Sequence, residues 1–387
     1  MTLFAGLDVN ASRVRAVSGS PTTARPLALE PVLSEMPLAL SLEGKRLEGG
    51  HLALQVGRRL PHLVCNDFLP HLGDERLWAS GRHRLSAVQA LGHVVKQMQS
   101  RLNEVTALAV TAPAYLSRAQ VDVLADVLKQ HKLPLVGWVR SALAATAAAR
   151  AQMSWQGLAL IVDADDHALS WTLVNAEDAQ AKLTAERVEP ALGVRAWKER
   201  LLNCIADRCI RHSRRDPRHD GACEQFLYEQ FDGALEACRH GQLVELVVQA
   251  EQWYQELVLR PGEIERFEAV LVRAAVAGLR ELFNAVASDR PPAVVVATAT
   301  AAKLPGLLRA VQDQTGLHTK LVTLGPDALA QAAQELAVQW QQGALPRSPV
   351  DAVISLKKTP RAKPVAARQP ARPAPRGEDD FSVNIEE

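Results

Sequence analysis

The sequence predicts an α/β protein built as two sheet-centred lobes, with a helical and hairpin insertion in the second lobe and a polar tail. Three observations carry this reading. Strand-length apolar runs alternate with helical periodicities on either side of the middle of the chain, the pattern of strands joined by crossover helices. Between residues 192 and 286 that alternation gives way to long amphipathic stretches around one hairpin. From about Ser348 the chain loses the apolar content needed for a core. A chain of 387 residues has room for two domains or lobes at roughly 100–200 residues each.

Composition narrows the class further. Apolar residues make up 48% of the chain but aromatics only 4%, so the interior must be assembled mainly from Ala, Leu and Val. Lys plus Arg number 44 against 43 Asp plus Glu, a net charge of +1, which removes any global electrostatic case for a nucleic-acid or membrane-surface partner. No run of about 18 apolar residues is present, and the short apolar start before Asp8 has no basic region or cleavage site. The expectation is a cytoplasmic protein. Five cysteines, Cys65, Cys204, Cys209, Cys223 and Cys238, are an odd number without a secretion signal, which argues for reduced thiols. Cys204, Cys209, His212, His219 and Cys223 lack the close Cys-x-x-Cys pairs of a zinc site. They read as core cysteines on helices, and no metal site is assigned.

Taken in order, residues 3–8 and 13–17 read as two strands joined by a polar turn, a hairpin. Residues 20–65 are irregular, with strand-like pieces at 38–42 and 51–56. Leu85, Val88, Leu91, Val95, Met98 and Leu102 recur every three or four positions and mark a helix. A buried strand at 107–111 follows, then a helix at 120–131, a strand at 133–139 and an Ala-rich helix at 141–153. Residues 158–163 and 169–174 form a second hairpin. Helices are expected at 197–210, 221–237 and 264–287, with a hairpin from 242–249 and 251–259. Strand, helix, strand, helix closes the body at 293–297, 304–315, 320–323 and 326–341. The boundaries are a first lobe at 1–175, a second lobe at 176–342 with its helical subdomain at about 192–287, and a tail at 343–387.

The tail carries Lys357, Lys358, Arg361, Lys363, Arg368, Arg372 and Arg376 among five prolines, a composition expected to be disordered. Its acidic end places Phe381, Val383 and Ile385 at alternate positions. Such a peptide adds a strand to a partner's sheet edge or fills a groove; the plainer reading is a solubilising terminus.

Three places join an apolar strand to a turn: Gly6-Leu7-Asp8-Val9-Asn10-Ala11-Ser12, Val162-Asp163-Ala164-Asp165-Asp166-His167-Ala168, and Val295-Val296-Ala297-Thr298-Ala299-Thr300 leading to Lys303. Between the first two lies Val110-Thr111-Ala112-Pro113-Ala114-Tyr115-Leu116-Ser117-Arg118-Ala119-Gln120. Leu192-Gly193, with Trp197, Arg200 and Leu201, and Glu263-Ile264-Glu265-Arg266-Phe267-Glu268 come later, before Leu304-Pro305 and Pro326-Asp327-Ala328-Leu329-Ala330. Together these resemble the sugar-kinase, actin and heat-shock ATPase superfamily, and within it the nucleotide-binding domain of the seventy-kilodalton heat-shock chaperones. The resemblance covers residues 1 to about 342. It implies a two-lobed actin-like ATPase fold of duplicated ribonuclease-H-like lobes, with ATP and magnesium between them.

The resemblance puts Asp8, Asn10, Ser12 and Asp163 on the phosphate and metal side, and Thr300 and Lys303 on the adenosine side. It also exposes departures. Bare backbone N–H groups must approach phosphates closely, which favours Gly. Here the first turn has Asn10 and Ala11 where the family has Gly and a hydroxyl, Asn10 being a residue that tolerates a left-handed backbone. The second turn has lost all three glycines and gained Asp165 and Asp166, which would repel a polyphosphate unless Asp163, Asp165 and Asp166 held a metal ion. Ser141 stands where the family has a metal-linked Glu, Leu69 where it has a phosphate-stabilising Lys, and Lys303 where an Arg stacks on the base. His167 reads as a solvent-exposed turn residue with no partner. No catalytic residue is assigned. The expectation is a pseudo-ATPase, a chaperone-related scaffold or regulatory module with a protein partner. It would lack the family's peptide-binding half, for which the residues beyond 342 leave no room. The alternative is a divergent ATP-binding protein with slow or no hydrolysis.

Overall fold

The computed structural model describes residues 2–31, 34–286, 291–316, 318–344 and 350–356. The chain begins with an antiparallel meander of β1 (Leu3–Val9), β2 (Arg13–Ser20) and β3 (Thr23–Leu27). β1 is buried from Phe4 onward, which is why it reads as a continuous apolar run. Then come β4 (Glu35–Pro37), β5 (Ala39–Ser41), β6 (Glu48–Gly49), the one-turn helix α1 (His51–Leu54), β7 (Val64–Asn66) and the hairpin of β8 (Leu77–Ser80) and β9 (His83–Ser86). Residues 51–54 are therefore helical, not strand-like. α2 (Ala87–Gln99) and α3 (Arg118–Gln130) flank β10 (Val105–Ala112). Each helix is opened by a capping box, Ser86 with Gln89 and Ser117 with Gln120, which satisfies otherwise orphaned N–H groups. β11 (Leu135–Arg140) and α4 (Ser141–Gln152) complete this half.

The second half opens with another meander, β12 (Gly157–Ala164), β13 (Leu169–Glu177) and β14 (Gln180–Glu189). An insertion follows: α5 (Val194–Ser213), α6 (Gly221–Glu229), α7 (Phe231–Arg239), the hairpin β15 (Val244–Ala250) and β16 (Trp253–Leu259), and α8 (Pro261–Val286). The stretch expected as one helix at 221–237 is thus two, broken at Gln230. β17 (Val294–Ala297), α9 (Leu307–Thr315), β18 (Lys320–Thr323), α10 (Ala328–Gln341) and β19 (Val353–Ser355) close the chain.

The protein is a mixed α/β structure whose two large sheets repeat one plan. The first runs β11-β10-β1-β2-β3 and the second β18-β17-β12-β13-β14-β19. In each, the first strand of a meander is central, with a parallel strand on its other side, β10 beside β1 and β17 beside β12. β12 and β13, placed with the first lobe from the sequence, belong to the second sheet, because β17 returns parallel to β12 with Ala159 opposite Val294. The tail boundary also moves. β19 pairs antiparallel with β14, Val350 bridges to Val139 on β11, and Ile354 and Leu356 are buried. Residues 350–356 therefore form a strap touching the edges of both sheets, pinned by the Arg140–Asp351 ion pair at 2.6 Å. Phe381, Val383, Ile385 and the basic tail residues lie outside the described residues.

The two sheets share one core. α4 and α10 lie between them, and their alanines pack with Ala109 and Val139 of the first sheet and Ala159, Ile161 and Val296 of the second. Small residues permit this close approach. A Cβ on Gly6 of β1 would sit 2.0 Å from the Ala330 carbonyl of α10, so no other residue fits there without displacing backbone. Among the described residues no helix is long and apolar enough to cross a membrane. Cys209, Cys223 and Cys238 are buried in the insertion core, as helical core cysteines.

Candidate functional site: two interlocked turns

Because the plan repeats, the turn after β1 and the turn after β12 stand at matching places and meet between the sheets. Asp8, near the end of β1, is 5% exposed. It accepts a hydrogen bond from the Thr111 hydroxyl at 2.8 Å and faces the Arg13 guanidinium at 3.4 Å. Arg13 and Arg15 both reach Glu35, at 3.1 and 2.7 Å, and Arg15 also reaches Asp327. Asn10 closes the turn itself, its Oδ1 accepting the N–H groups of Ser12 and Arg13 at 3.0 Å each. Asparagine stabilises turns in this way. It does so without a left-handed backbone, which among the described non-glycine residues occurs at Asp67, Lys132, Asp178 and Arg214.

The second turn reaches across and grips the first. The Asp165 carboxylate accepts the Ala11 N–H at 2.8 Å and the Tyr115 hydroxyl at 2.5 Å, and also the N–H groups of His167 and Ala168 of its own turn at 2.9 Å. The Ser12 hydroxyl accepts the Asp166 N–H at 2.9 Å. Asp165 is 5% exposed, and burial pushes its carboxyl above the ordinary range although these donors pull the other way. Burial and the Asp165 charge together drive the Tyr115 phenol well above its usual value. Asp165 therefore does what a phosphate oxygen does in a phosphate-binding turn: it accepts backbone N–H groups that a nearby chain presents. From the sequence Asp165 reads as a charge that repels a polyphosphate or that joins Asp163 and Asp166 on a metal ion. Its partner Ala11 lies 154 residues away, and no local pattern reports that.

Asp163, the counterpart of Asp8, sits half-buried beside this lock. Burial and then the neighbouring Asp8 and Asp165 carboxylates raise its pKa to about 7, against the Thr298 hydroxyl and Arg13, which lower it. The space around it is a cavity of about 10 Å³, lined by Asp8, Asn10, Arg13, Asp163, Thr298 and Thr300 among others. That is room for about one water molecule. Ser141 also lines it, and Leu69 is fully buried in the first-lobe core. Lys303 turns away to pair with Glu236 of α7 at 3.1 Å. Asp8, Asn10, Asp163 and Thr300 are thus brought together, Ser12 binds the facing turn, and Lys303 binds the insertion.

Two further contacts were not legible from the sequence. His167 is not an unpartnered turn residue: its Nδ1 lies 3.3 Å from Asp67, which also pairs with Arg195 at 3.2 Å, and its ring meets Tyr115 edge-on at 4.9 Å. Burial works against the Asp67 carboxylate, yet His167 and Arg195 hold it below the usual range. At the outer rim Arg58 of the first lobe donates its N–H to Gln225 of α6 at 2.8 Å, pairs with Glu224 and Glu199, and stacks over Tyr228 at 3.9 Å. Gln225 returns a bond to the Leu54 carbonyl at 3.0 Å. The cleft is bridged at its rim as well as at its floor.

A triphosphate with its magnesium does not fit this arrangement, because the Ala11 N–H is already satisfied and the remaining cavity is water-sized. Nor do Asp163, Asp165 and Asp166 converge on a cation: among the described residues no three His, Cys, Asp or Glu side chains are placed to hold a metal ion. No family model matches the chain, and no curated protein is similar to it.

Proposed function

We propose that the chain is a pseudo-ATPase of the actin and heat-shock ATPase type, held closed by its own side chains and serving as a cytoplasmic scaffold or regulatory binding module for a protein partner. The repeated sheet order supports the fold half of this reading, since duplicated ribonuclease-H-like lobes have a three-stranded meander followed by two parallel strands. The observation that carries the functional half is the Asp165 carboxylate on the Ala11 N–H at 2.8 Å. A bound polyphosphate would have to displace that carboxylate and then lie beside Asp163, Asp165 and Asp166. Each like-charge pair at about 4 Å costs about 1 kcal/mol in water and about 4 kcal/mol at the effective dielectric of a protein surface.

The test is calorimetric titration of the full chain with ATP and magnesium, together with thermal unfolding in their presence. No saturable binding up to millimolar nucleotide is expected, and no change in melting temperature. A ligand at 100 times its Kd stabilises by about 2.7 kcal/mol. A shift of several degrees that disappears in Asp8→Ala would overturn the proposal and establish a nucleotide-binding protein instead.

A further inference from the structure

The hairpin of β15 and β16 stands apart from the two large sheets as a two-stranded sheet of its own. β15 packs on α6 and α7. Gln230, at the break between those helices, closes the outer edge of β15: its amide donates to the Val247 carbonyl and its Oε1 accepts the Val247 N–H, both at 2.8 Å. That pair of bonds fixes the ladder, because residues facing each other in an antiparallel pair alternate between exchanging both backbone bonds and exchanging none. Val247 gives both groups to Gln230, so it exchanges none with Glu256 opposite. The same then holds for Gln249 opposite Tyr254 and Glu245 opposite Val258. The N–H and C=O groups of Tyr254, Glu256 and Val258 therefore point away from β15, to a side where no strand pairs and no hydrogen bond from the described residues reaches them. Tyr254 and Val258 are 58% and 52% exposed.

Open edges invite pairing with another chain, and proteins blunt them with proline, charge or a cover. β3 contains Pro26, β14 takes β19 over its first three residues, and β15 has Gln230. β16 reads Trp-Tyr-Gln-Glu-Leu-Val-Leu, without proline, glycine or lysine. Its outward face alternates Tyr254, Glu256 and Val258, and the Tyr254 hydroxyl donates to Glu256 at 2.6 Å, which holds the carboxylate on that face. Residues 244–259 include Glu245, Glu251 and Glu256 and no Lys, Arg or His. Arg215 reaches the hairpin at its turn, on the Gln252 carbonyl.

We propose that the free edge of β16 is where a partner protein docks, by adding an extended segment antiparallel to Tyr254, Glu256 and Val258. The segment has Lys or Arg opposite Glu256 and β-branched or aromatic residues two positions to either side, opposite Tyr254 and Val258. Main-chain bonds give such strand additions their affinity and alternate side chains their specificity. Opposite charges, and aromatic with β-branched residues, are the favourable cross-strand pairs. The same rule disfavours a second copy of this chain, since antiparallel pairing of two β16 strands about Glu256 sets that carboxylate against its own equivalent. The inference rests on the partner half of the proposed function and gives that partner a surface; it does not depend on whether the cleft takes ATP.

Amide exchange followed by NMR on the full chain tests this, with the end-capped heptapeptide Thr-Val-Ser-Lys-Ser-Ile-Thr as the probe and no nucleotide present. In the protein alone, Tyr254, Glu256 and Val258 should exchange close to free-peptide rates, while Gln255 and Leu257, which bond to β15, are slow. The peptide should bind with a Kd of about 1 mM or tighter. At saturation the first three amides should slow about tenfold or more and the other two change little. Glu256→Lys, at an exposed position, should weaken binding of this peptide about tenfold and restore it for the peptide carrying Glu in place of Lys. Slow exchange of the three amides without peptide would overturn the proposal: if it holds at every protein concentration the chain covers its own edge, and if it fades on dilution a second copy does. So would absent or non-alternating protection at about 5 mM peptide, or binding indifferent to the charge reversal. Any of these failures leaves the closed cleft standing, and ATP binding in the cleft would leave this result standing.

Discussion

Asp8 and Asp163 occupy the same position in two copies of one plan, yet their electrostatics are opposite. Asp8 has a hydroxyl and a guanidinium, from Thr111 and Arg13. Asp163 has the Thr298 hydroxyl and two carboxylates as near neighbours, and its pKa is raised to about 7. The register explains the difference. Opposite Asp8 on the adjacent strand stands Arg15; opposite Asp163 stands Ser170. Just before the paired positions Val14 and Leu169 the first sheet has Arg13 and the second has Ala168. Repeated backbone geometry therefore fixes where an acid sits, and the neighbouring strand decides whether its charge is compensated.

The lock between the turns offers the strongest way to break this pairing. Asp165→Ala orphans the donors of Tyr115, His167 and Ala168 at once and leaves the Ala11 N–H with the Tyr115 hydroxyl oxygen alone, at 2.8 Å. The expected loss is about 3 kcal/mol or more, since removing one partner of a buried charged network leaves the others unsatisfied. Chemical denaturation of the parent and variant measures it. Asp165→Asn keeps one acceptor oxygen, so either the Ala11 and Tyr115 donors on Oδ2 or the His167 and Ala168 donors on Oδ1 face its NH2 group, and it should lose about 1–3 kcal/mol, less than the alanine variant. Equal losses for the two variants would show that the carboxylate is not the acceptor that holds the turns together.

Asp163 gives the second prediction, and its sign is opposite to the usual carboxylate case. Its folded pKa of about 7 lies above the ordinary 3.8, so the folded state binds the proton more tightly than the unfolded state. Stability from this group is present below about pH 4 and declines as pH rises to 7. At 1.36 kcal/mol per pKa unit the full shift is worth about 4 kcal/mol, which partial solvent access reduces to about 2. Asp163→Asn should therefore be the more stable protein at pH 8, with the difference vanishing near pH 4 in unfolding curves. Glu268 titrates in an overlapping range, because burial raises it to about 8, neither oxygen having a hydrogen-bond partner among the described residues. The difference between Asp163→Asn and its parent removes that common contribution.

Arg13→Met converts the first turn into an approximation of the second. Asp8 would keep Thr111 but lose its cation, and the expected loss is about 1–2 kcal/mol at pH 7. The sharper readout is a double-mutant cycle with Asp163→Asn: once one acid is neutral, loss of Arg13 should matter less, with a coupling of at least 0.5 kcal/mol. Additive effects would mean that the two acids do not feel each other across the interface.

Much of this architecture was readable from local pattern, and its failures have physical causes. Buried central strands such as Gly157–Ala164 and Val294–Ala297 are continuous apolar runs. Helices with one buried face announce themselves by period and by Ser-x-x-Gln caps. Strands with an exposed face do not: Thr23–Leu27, at the edge of its sheet, is largely exposed and contains Pro26, and Gln180–Glu189, covered by β19 only over its first three residues, alternates charges with small residues. β19 hides at the start of a polar tail because its three residues hold their place through β14 and the core under Ile354, both built from residues far back in the chain. At the site, Asp8, Asn10 and Asp163 stood out as strand-end residues. The groups that close the cleft are joined across the sequence, Ala11 to Asp165, Asp67 to His167 and Arg58 to Gln225, so their roles exist only once the two halves have packed.

Ser12 supplies the smallest effect and separates two roles for the same hydroxyl. As a phosphate ligand it would donate; in this structure it accepts, from the Asp166 N–H at 2.9 Å. Asp166 is only half-buried, so water can replace the lost acceptor, and Ser12→Ala should cost under about 1 kcal/mol. The same substitution should leave the Asp165 contacts intact, because Ala11 and Tyr115 reach Asp165 independently of the hydroxyl. Amide exchange at Asp166 should therefore quicken while that at Ala11 stays slow. Faster exchange at both would mean that the two turns open together and that the serine, not the buried carboxylate, is the catch.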